Sequence, residues 1–366
     1  MNNQVVDIKK VIIFAGAFIA FLIGSGFATG QEILQYFAAY GYMGLFGALV
    51  AFVLFVYVGV SFITTGQKYK FKKGNDIYTY YCGNVLGKFF DYFSIIFIYM
   101  SYIVMISGAG ATINQQYGLP VYIGGIIMAV LSCITVVCGL GKIVDVIGKI
   151  GPLIVVLSIL LGISAIVMKP EGLVEANKVI PELNLLKASN NWFLAAASYV
   201  GFCMLWLASF FTSMGATANS KKEAAWGAIA GAFAFSVAVI IVALGLIANI
   251  EQVSGTLIPS LILANNIHPN IAVFFSITVV AGIYTTAVPL LWSVSSRIAE
   301  DKSKKFVIIT IILAIIGTFI GLVVPFDKLV NIVYVINGYV GFVLLILMVI
   351  KDIKVRKKSN EVSNVK

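Results

Sequence analysis

Residues 24–30 have the sequence Gly-Ser-Gly-Phe-Ala-Thr-Gly and lie in the middle of an apolar segment that covers residues 9–39. About 20 apolar residues are enough to cross a bilayer as a helix, so this segment is too long for one straight crossing. Three glycines and two hydroxyl residues within seven positions also form a helix poorly. The stretch therefore predicts a break in a spanning helix, with close helix packing through the small residues Gly24 and Ala28 as the alternative.

The composition of the whole chain indicates a membrane protein. Of its 366 residues, 60% are apolar and 11% are charged, and the mean hydropathy is +1.02. A soluble protein carries about 25% charged residues, and a β-barrel would alternate apolar and polar positions in segments of about ten. We therefore predict an all-α polytopic membrane protein with ten transmembrane helices, at residues 9–39, 42–66, 89–116, 120–140, 143–168, 191–218, 223–249, 270–297, 304–325 and 330–350.

The positive charges predict how these helices are oriented. With the N-terminus in the cytoplasm, 21 of the 25 lysine and arginine residues fall on the cytoplasmic side, and only Lys169, Lys178, Lys187 and Lys328 fall outside. Cytoplasmic loops are enriched in these residues, so both termini are predicted to be cytoplasmic, in a cell (plasma or inner) membrane. The net charge of +10 is then explained by the inner face and its contact with the lipid bilayer, and no nucleic acid partner is expected.

The predicted helices divide into two halves of five. Residues 1–168 form the first half and residues 191–350 the second, with an extracellular loop at 169–190 and a basic cytoplasmic tail at 351–366. Because five is an odd number, the second half crosses the membrane upside down relative to the first. Inverted repeats of this kind form transporters that bind solute near the midplane between the halves. Helix 6 then corresponds to helix 1, and its polar Ala208-Ser209 predicts a second break.

The stretch Gly-Ser-Gly-Phe-Ala-Thr-Gly-Gln-Glu, which ends at Glu32, occurs here with ten helices, a basic first inner loop and this chain length. In these features the chain resembles the YkvI-type membrane proteins, which are permease-like and related to the amino acid–polyamine–organocation superfamily. The resemblance covers nearly the whole chain. It implies the LeuT-type fold, a five-plus-five inverted repeat with discontinuous helices 1 and 6. It also implies alternating access and a small amino-acid-like substrate held between these two helices.

A helix break at membrane depth is suited to bind an amino acid, because unpaired amides attract a carboxylate and unpaired carbonyls attract a cation. The predicted substrate site combines the break in helix 1 with side chains of helices 3 and 6. Its residues are Gly24, Ser25, Gly26, Phe27, Ala28, Tyr102, Trp206, Ser209 and Phe210. For the aromatic residues, ordinary packing between helices is the alternative.

Two sets of residues are candidates for binding the coupling ion. The resemblance implies a Na⁺ site formed by carbonyl and hydroxyl groups of helices 1 and 8, here those of Ala20, Ile23, Ala281, Thr285 and Thr286. The two threonine hydroxyls could instead bond back to their own helix. In sodium-independent relatives a lysine of helix 5 replaces the sodium ion, and Lys149, similar in placement, would support H⁺ coupling; it could also reach the inner surface or pair with Asp145. The two sites exclude each other, and no cofactor other than Na⁺ is expected.

Glu32 is the one carboxylate that must lie well inside a predicted helix. Ionisable residues at membrane depth are functional candidates, and Glu32 could carry a proton, attract an amino group or brace the helix. We predict an ion-coupled secondary active transporter of a small amino-acid-like solute, acting as a monomer or homodimer. The alternative is a ligand-sensing receptor of the germinant type on a transporter scaffold. No enzyme and no metal site is expected, because the single histidine, His268, lies in a predicted outer loop and no catalytic motif is present.

Overall fold

The structure is a computed structural model that describes the backbone of residues 6–138 and 143–364 and the side chains of residues 6–138, 152–355 and 357. In these ranges the regular secondary structure is helical. Two short 3-10 helices cover Ala38–Tyr40 and Ile180–Glu182. The α-helices are α1 (Ile8–Leu22), α2 (Ser25–Thr29), α3 (Gln31–Tyr36), α4 (Tyr42–Tyr69), α5 (Asp76–Tyr117), α6 (Val121–Cys138), α7 (Ile143–Met168), α8 (Glu171–Val179), α9 (Trp192–Gly215), α10 (Lys221–Ala248), α11 (Ile250–Val253), α12 (Pro259–Ile267), α13 (Pro269–Ile298), α14 (Lys304–Val323) and α15 (Phe326–Asn364).

Eight helices in the described part of the chain are long and apolar enough to cross a membrane, namely α4, α5, α6, α9, α10, α13, α14 and α15. A ninth candidate is a bent pair formed by Pro152–Met168 and Glu171–Glu182, whose axes meet at 89°. The predicted class of polytopic all-α membrane protein is therefore confirmed. Most helix ends agree with the predicted spans within a few residues; the exceptions are α5, which begins at Asp76, and α15, which continues through the predicted tail.

The surface of α14 shows why these helices require a bilayer. Ile308, Ile312, Ile315 and Phe319 are three or four positions apart, so they lie on one face of the helix. All four are exposed, and Phe319 retains 73% of its accessible surface. A continuous apolar face of this size is unfavourable in water and is stable against lipid.

The break predicted in the first helix is present. Ile23 and Gly24 are extended, with ψ angles of 100° and −167°, and they separate α1 from α2. A second interruption follows at Gly30, whose φ of 82° lies in the left-handed region that favours glycine. The glycine-rich stretch thus divides the predicted first span into three short helices, and residues 22–36 are all buried.

The break predicted in helix 6 is wrong, because α9 is one α-helix from Trp192 to Gly215. Its Gly201 lets α9 approach α15 closely: a Cβ atom added there would lie 2.1 Å from the carbonyl oxygen of Gly338. No glycine lies at Ala208-Ser209. Hydroxyl groups alone do not stop a helix, since they can bond to a carbonyl of their own turn.

The broken segment lies inside the helical bundle. α1 packs on α9 and α10, whereas α2 contacts α5, α12 and α13. α3 contacts α9, α10, α12 and α15. Helices from both predicted halves therefore enclose the break.

Candidate functional site

The break leaves peptide groups without backbone partners. In the part of the chain that the structure describes, the first amide of α2 with a backbone acceptor is that of Ala28, which donates to the Gly24 carbonyl oxygen at 3.1 Å. The preceding amides of Ser25, Gly26 and Phe27 have no such acceptor there. On the other side of the break, the last four carbonyl groups of α1 have no amide partner within that helix. Unpaired donors and unpaired acceptors thus face the same buried gap.

Glu32, in α3, lies directly beside this break. The residue is 1% exposed, and neither carboxylate oxygen has a hydrogen-bond partner among the described residues. A Cβ atom added to Gly26 would lie 1.9 Å from Glu32 Oε1. The missing side chain at Gly26 therefore provides the space that the carboxylate occupies.

Hydroxyl groups from four helices lie around the Glu32 carboxylate. Tyr36 lies in α3, Tyr199 in α9 and Tyr334 in α15, and Ser25 begins α2 beside Tyr334. All four hydroxyl oxygens are buried without a partner among the described residues. Because buried polar groups are normally paired, this concentration indicates a place where an ion, water or solute binds. We call Ser25, Glu32, Tyr36, Tyr199 and Tyr334 the polar cluster.

Aromatic packing fixes the positions of these hydroxyls. The rings of Tyr36 and Tyr199 are 5.3 Å apart, and the ring of Tyr334 stacks on Phe202 at 4.7 Å. Trp206 packs edge-on against Tyr334 at 5.5 Å, and its indole nitrogen is buried and has no hydrogen-bond partner in the described structure. Each such ring pair contributes about 0.5–1.5 kcal/mol beyond burial. The donors are therefore held in place before any ligand arrives.

Part of the predicted substrate site meets at the polar cluster. Residues 24–28 are all buried at the break, and Ser25 belongs to the cluster. Trp206 contacts the cluster through its packing with a tyrosine of α15. Phe27, by contrast, directs its ring to Phe235 of α10, with 5.7 Å between the ring centroids.

Three predicted substrate residues lie elsewhere. The Tyr102 hydroxyl shares a hydrogen bond of 3.2 Å with a serine of α6. Phe210 stacks on Phe21 of α1 at 4.2 Å. Ser209 contacts the loop before α5, where a Cβ atom added to Gly74 would lie 2.2 Å from the Ser209 carbonyl oxygen. Their role in binding substrate stays a prediction.

The sequence analysis did not select the three tyrosines of the cluster. Tyr36 had a local signal, because it follows Glu32 by four positions and so shares a helix face with it. Tyr199 and Tyr334 come from helices far along the chain, and no spacing links them to Glu32. Only the packing of α3 against α9 and α15 brings them together.

The predicted sodium ligands of helix 8 are bonded within their own helix. Thr285 Oγ1 and Thr286 Oγ1 donate to the Gly282 carbonyl oxygen at 2.9 and 3.0 Å. This is the alternative that the sequence left open, and the sodium site stays a prediction. The carbonyl groups assigned to that site are those of Ala20, Ile23 and Ala281. The rival candidate, Lys149, lies in a segment of α7 whose side chains are outside the described residues.

The break is covered from the predicted outer face by α12 and the residue before it, Ile258, which we call the outer lid. A Cβ atom added to Gly30 would lie 2.7 Å from Ser260 Oγ, so the lid rests on the segment between α2 and α3. Gln115 of α5 fixes the lid with two hydrogen bonds. Its Nε2 donates to the Ile258 carbonyl at 2.8 Å, and its Oε1 accepts from the Ile258 amide at 2.9 Å.

Residues 70–75, which we call the inner loop, cover the opposite end. Gly74 in this loop packs on α9 at Ser209. Close by, Asp91 of α5 forms an ion pair with Arg297 of α13 at 2.8 Å and also accepts a hydrogen bond from Asn75. These residues line a cleft of about 500 Å³ at the predicted inner face. The outer lid and the inner loop are therefore each held in place by identifiable contacts.

No family model matches the chain, but two proteins of Bacillus subtilis (strain 168) are similar to it over nearly its whole length. The uncharacterized membrane protein YkvI is 23% identical over 334 residues, which cover 90% of this chain and 93% of YkvI. The uncharacterized protein YyaD is 25% identical over 336 residues, which cover 91% of this chain and 94% of YyaD.

Solved structures of LeuT-fold transporters share the arrangement of helices. MhsT in complex with L-phenylalanine has a TM-score of 0.62 at 16% identity and covers 94% of this chain and 89% of its own. The inward-facing conformation of Mhp1 has a TM-score of 0.65 at 12% identity, with 95% and 77% covered. A manganese transporter of Eremococcus coleocola has a TM-score of 0.57 at 11% identity, with 96% and 87% covered. The chain is thus a homologue of the YkvI-type membrane proteins, and it has the fold of the LeuT-type transporters.

Proposed function

We propose that this protein is a secondary active transporter that moves a small amino-acid-like solute across the membrane by alternating access. The observation that carries the proposal is the buried break between α1 and α2, where unpaired peptide groups lie beside the unpartnered side chains of the polar cluster. Leaving a buried polar group unpaired costs about 1–3 kcal/mol. A ligand that pairs with several of these groups would recover that free energy on binding.

The chemistry of the break suits a zwitterion. The amides of Ser25, Gly26 and Phe27 can donate to a carboxylate, and the carbonyl end of the 15-residue helix α1 attracts an ammonium group. An amino acid carries both groups on adjacent atoms of one small molecule, so it can span a single gap. MhsT, which shares the fold, was solved in complex with L-phenylalanine.

The proposal includes ten transmembrane helices in two inverted halves, residues 1–168 and 191–350, in the cell membrane with both termini in the cytoplasm. The two coverings of the break support this arrangement. The inner loop follows the second helix of the first half and packs on α9, while the outer lid follows the second helix of the second half and packs at Gly30. Each half thus covers the first helix of the other half, as an inverted repeat requires.

An ion gradient, of Na⁺ or H⁺, would drive uptake. The sodium version uses the carbonyl and hydroxyl groups of Ala20, Ile23, Ala281, Thr285 and Thr286. In this version, the oxygen of at least one threonine hydroxyl would bind the ion while its hydrogen stays bonded to a carbonyl group of its own helix. The proton version needs an ionisable group at membrane depth, for which Lys149 and Glu32 are the candidates.

A ligand screen followed by a flux assay tests the proposal. Purified protein is heated with single amino acids and polyamines, each with and without sodium; a ligand at 100 times its Kd stabilises the folded state by about 2.7 kcal/mol. The best ligand is then tested for counterflow in lipid vesicles. Stabilisation together with counterflow supports transport, whereas stabilisation without counterflow favours a ligand-sensing receptor.

Two serine variants locate the binding site. Ser25→Ala and Ser295→Ala each delete a buried hydroxyl that has no hydrogen-bond partner in the described structure, but Ser295 lies in the last turns of α13, away from the break. We expect Ser25→Ala to weaken ligand binding about tenfold, the value of one hydrogen bond, and Ser295→Ala to leave it unchanged. Equal affinity of the two variants would place the solute elsewhere.

A further inference from the structure

The polar cluster contains a carboxylate, Glu32, to which the binding of a zwitterion by the peptide groups of the break assigns no role. Glu32 is 1% exposed, and both of its oxygens lack hydrogen-bond partners in the described structure. The solute carboxylate and ammonium group would be bound by peptide groups of the break. A third charged group in the same place therefore needs its own explanation.

Another buried glutamate, Glu223, has quite different surroundings. Glu223, at the start of α10, is fully buried, yet it accepts hydrogen bonds from three donors. The Asp7 amide donates at 3.1 Å, the Asn219 amide at 3.0 Å and the Asn219 side chain at 3.2 Å. Glu223 and Glu32 are thus both buried, but in the described structure only the carboxylate of Glu223 has hydrogen-bond partners.

No positively charged side chain among the described residues faces Glu32, although α10 carries Lys221 and Lys222 in its first turn and α15 carries Lys328 in its first turn. The titratable side chains that face it are all neutral at pH 7, and they are Tyr36 of α3, Tyr199 and Cys203 of α9, and Tyr334 of α15. α12 has no titratable residue, α10 has them only in its first turn, and Tyr40 of the adjoining 3-10 helix donates its hydroxyl to Ser189. The ion pairs found in the described chain, Lys169–Glu251 and Arg297–Asp91, do not involve Glu32.

A carboxylate in such surroundings favours its neutral form. Removal from water penalises the charged state strongly, and among the described residues the groups beside Glu32 are neutral hydroxyls and a thiol, with no cation to compensate for the charge. The position of Glu32 in the first turn of α3 acts in the opposite direction, but a six-residue helix supplies only a small and local field. A protonated Glu32 would become a hydrogen-bond donor among hydroxyl oxygens that all lack one.

We propose that Glu32 is the proton-binding residue that couples solute movement to the H⁺ gradient; this inference rests on the proposed transport function. In the closed arrangement one carboxyl oxygen carries the proton as an O–H group. When the segment around Gly30 moves and water enters, that O–H bond breaks and the proton passes to water, leaving the carboxylate. Because Glu32 contacts Gly26 inside the break, its charge state and the occupancy of the break affect each other.

Infrared difference spectroscopy tests the protonation directly. The absorbance of the protonated carboxyl group is compared at pH 7 in the wild-type protein, Glu32→Gln and Glu223→Gln. We expect this band to be lost in Glu32→Gln and to remain unchanged in Glu223→Gln, whose native carboxylate accepts hydrogen bonds from three donors. If Glu32→Gln does not fold, Tyr199→Phe, which keeps the ring and removes one neighbouring hydroxyl, must shift the band. A band that responds to neither Glu32→Gln nor Tyr199→Phe would overturn the proposal.

Transport in vesicles tests the coupling, with a mixture of radiolabelled L-amino acids as the probe. At zero membrane potential, a gradient of one pH unit drives about tenfold accumulation if one proton moves with each solute. We expect the ratio of pH-driven accumulation to counterflow to fall about tenfold in Glu32→Gln, whatever the counterflow rate of the variant, because exchange needs no net proton movement. Accumulation that persists in Glu32→Gln would refute the coupling role. Wild-type protein without counterflow would instead contradict the proposed function, and the infrared result would still decide whether Glu32 binds a proton.

Discussion

Replacing Gly26 by alanine tests whether the break and Glu32 form one unit. The new Cβ atom would lie 1.9 Å from Glu32 Oε1 and 2.3 Å from both Cδ and Cγ of that side chain, where ordinary contacts begin near 3.4 Å. The whole carboxylate arm must therefore move, although Glu32 is 1% exposed and packed inside the helical bundle. Overpacking of this kind costs about 1–3 kcal/mol, which exceeds the gain of at most about 1 kcal/mol from the better helix propensity of alanine.

A double-mutant cycle assigns this cost to the contact itself. Glu32→Ala removes the side chain that the new Cβ atom meets, so Gly26→Ala should be nearly neutral in that background. The coupling free energy between the two sites is then about 1–3 kcal/mol. Gly16→Ala is the matched control, because a Cβ atom at Gly16, in α1, meets nothing within 4 Å.

Thermal unfolding in detergent, followed by tryptophan fluorescence, is a suitable measurement. For a chain of this length each kcal/mol shifts Tm by roughly 2 °C, so Gly26→Ala should unfold a few degrees below the wild type. Gly16→Ala should unfold at or slightly above the wild-type temperature. The reasoning fails if Gly26→Ala behaves like Gly16→Ala, or if it destabilises the Glu32→Ala protein as much as the wild type.

Three further outcomes are expected. Replacing sodium by potassium should change uptake less than about twofold, because the Thr285 hydroxyl is bonded within its own helix; a larger loss that disappears in Thr285→Val would restore the sodium site. Gln115→Ala removes both hydrogen bonds to Ile258, together worth about 2 kcal/mol, so a thiol reagent should label the buried Cys203 roughly thirtyfold faster; an unchanged rate would show that the lid is held by other contacts. Asp91→Asn should lower the free energy of unfolding by less than about 1 kcal/mol and reduce its salt dependence, as measured by denaturation at low and high ionic strength, since the ion pair it removes is part-exposed.

The limits of the helices could be predicted because lipid imposes a long apolar run on every crossing. The segment predicted at 143–168 is α7, and the one predicted at 270–297 differs from α13 by one residue at each end. The differences at α5 and α15 have a common cause. Both helices include a polar stretch outside their apolar run, where hydropathy does not mark the helix end. In α5 this stretch is a separate short helix, joined to the rest by a kink at Gly83, whose φ is 74°.

The two predicted breaks show what a local sequence can and cannot specify. In helix 1, Gly30 adopts a left-handed conformation that other residues resist, so the sequence itself interrupts the helix there, whereas Gly24 is extended. In helix 6 the glycine at 201 allows α9 to approach α15, which only the packed structure reveals. Glycine content alone therefore does not distinguish a break from a close helix contact.

The candidate site was predictable only where its residues are close in sequence. Ser25 and Glu32 follow from the motif and from the rarity of carboxylates at membrane depth. Tyr199 and Tyr334 could not be predicted, because tyrosines are common in this chain and only the packed structure places these two near Glu32. Hydroxyls without partners are a property of the fold and have no signature in the sequence.

The contacts of the outer lid and the inner loop give the polar cluster a role in the proposed alternating access. The outer lid rests on Gly30, which joins the helix that carries Ser25 to the helix that carries Glu32. The inner loop rests on Ser209, one helical turn from Trp206, whose ring packs on a tyrosine of the cluster. Movement at either end therefore changes the surroundings of the same buried groups. Alternating access needs one site that responds to two gates, and a cluster of unpartnered polar groups between them is a physical way to provide it.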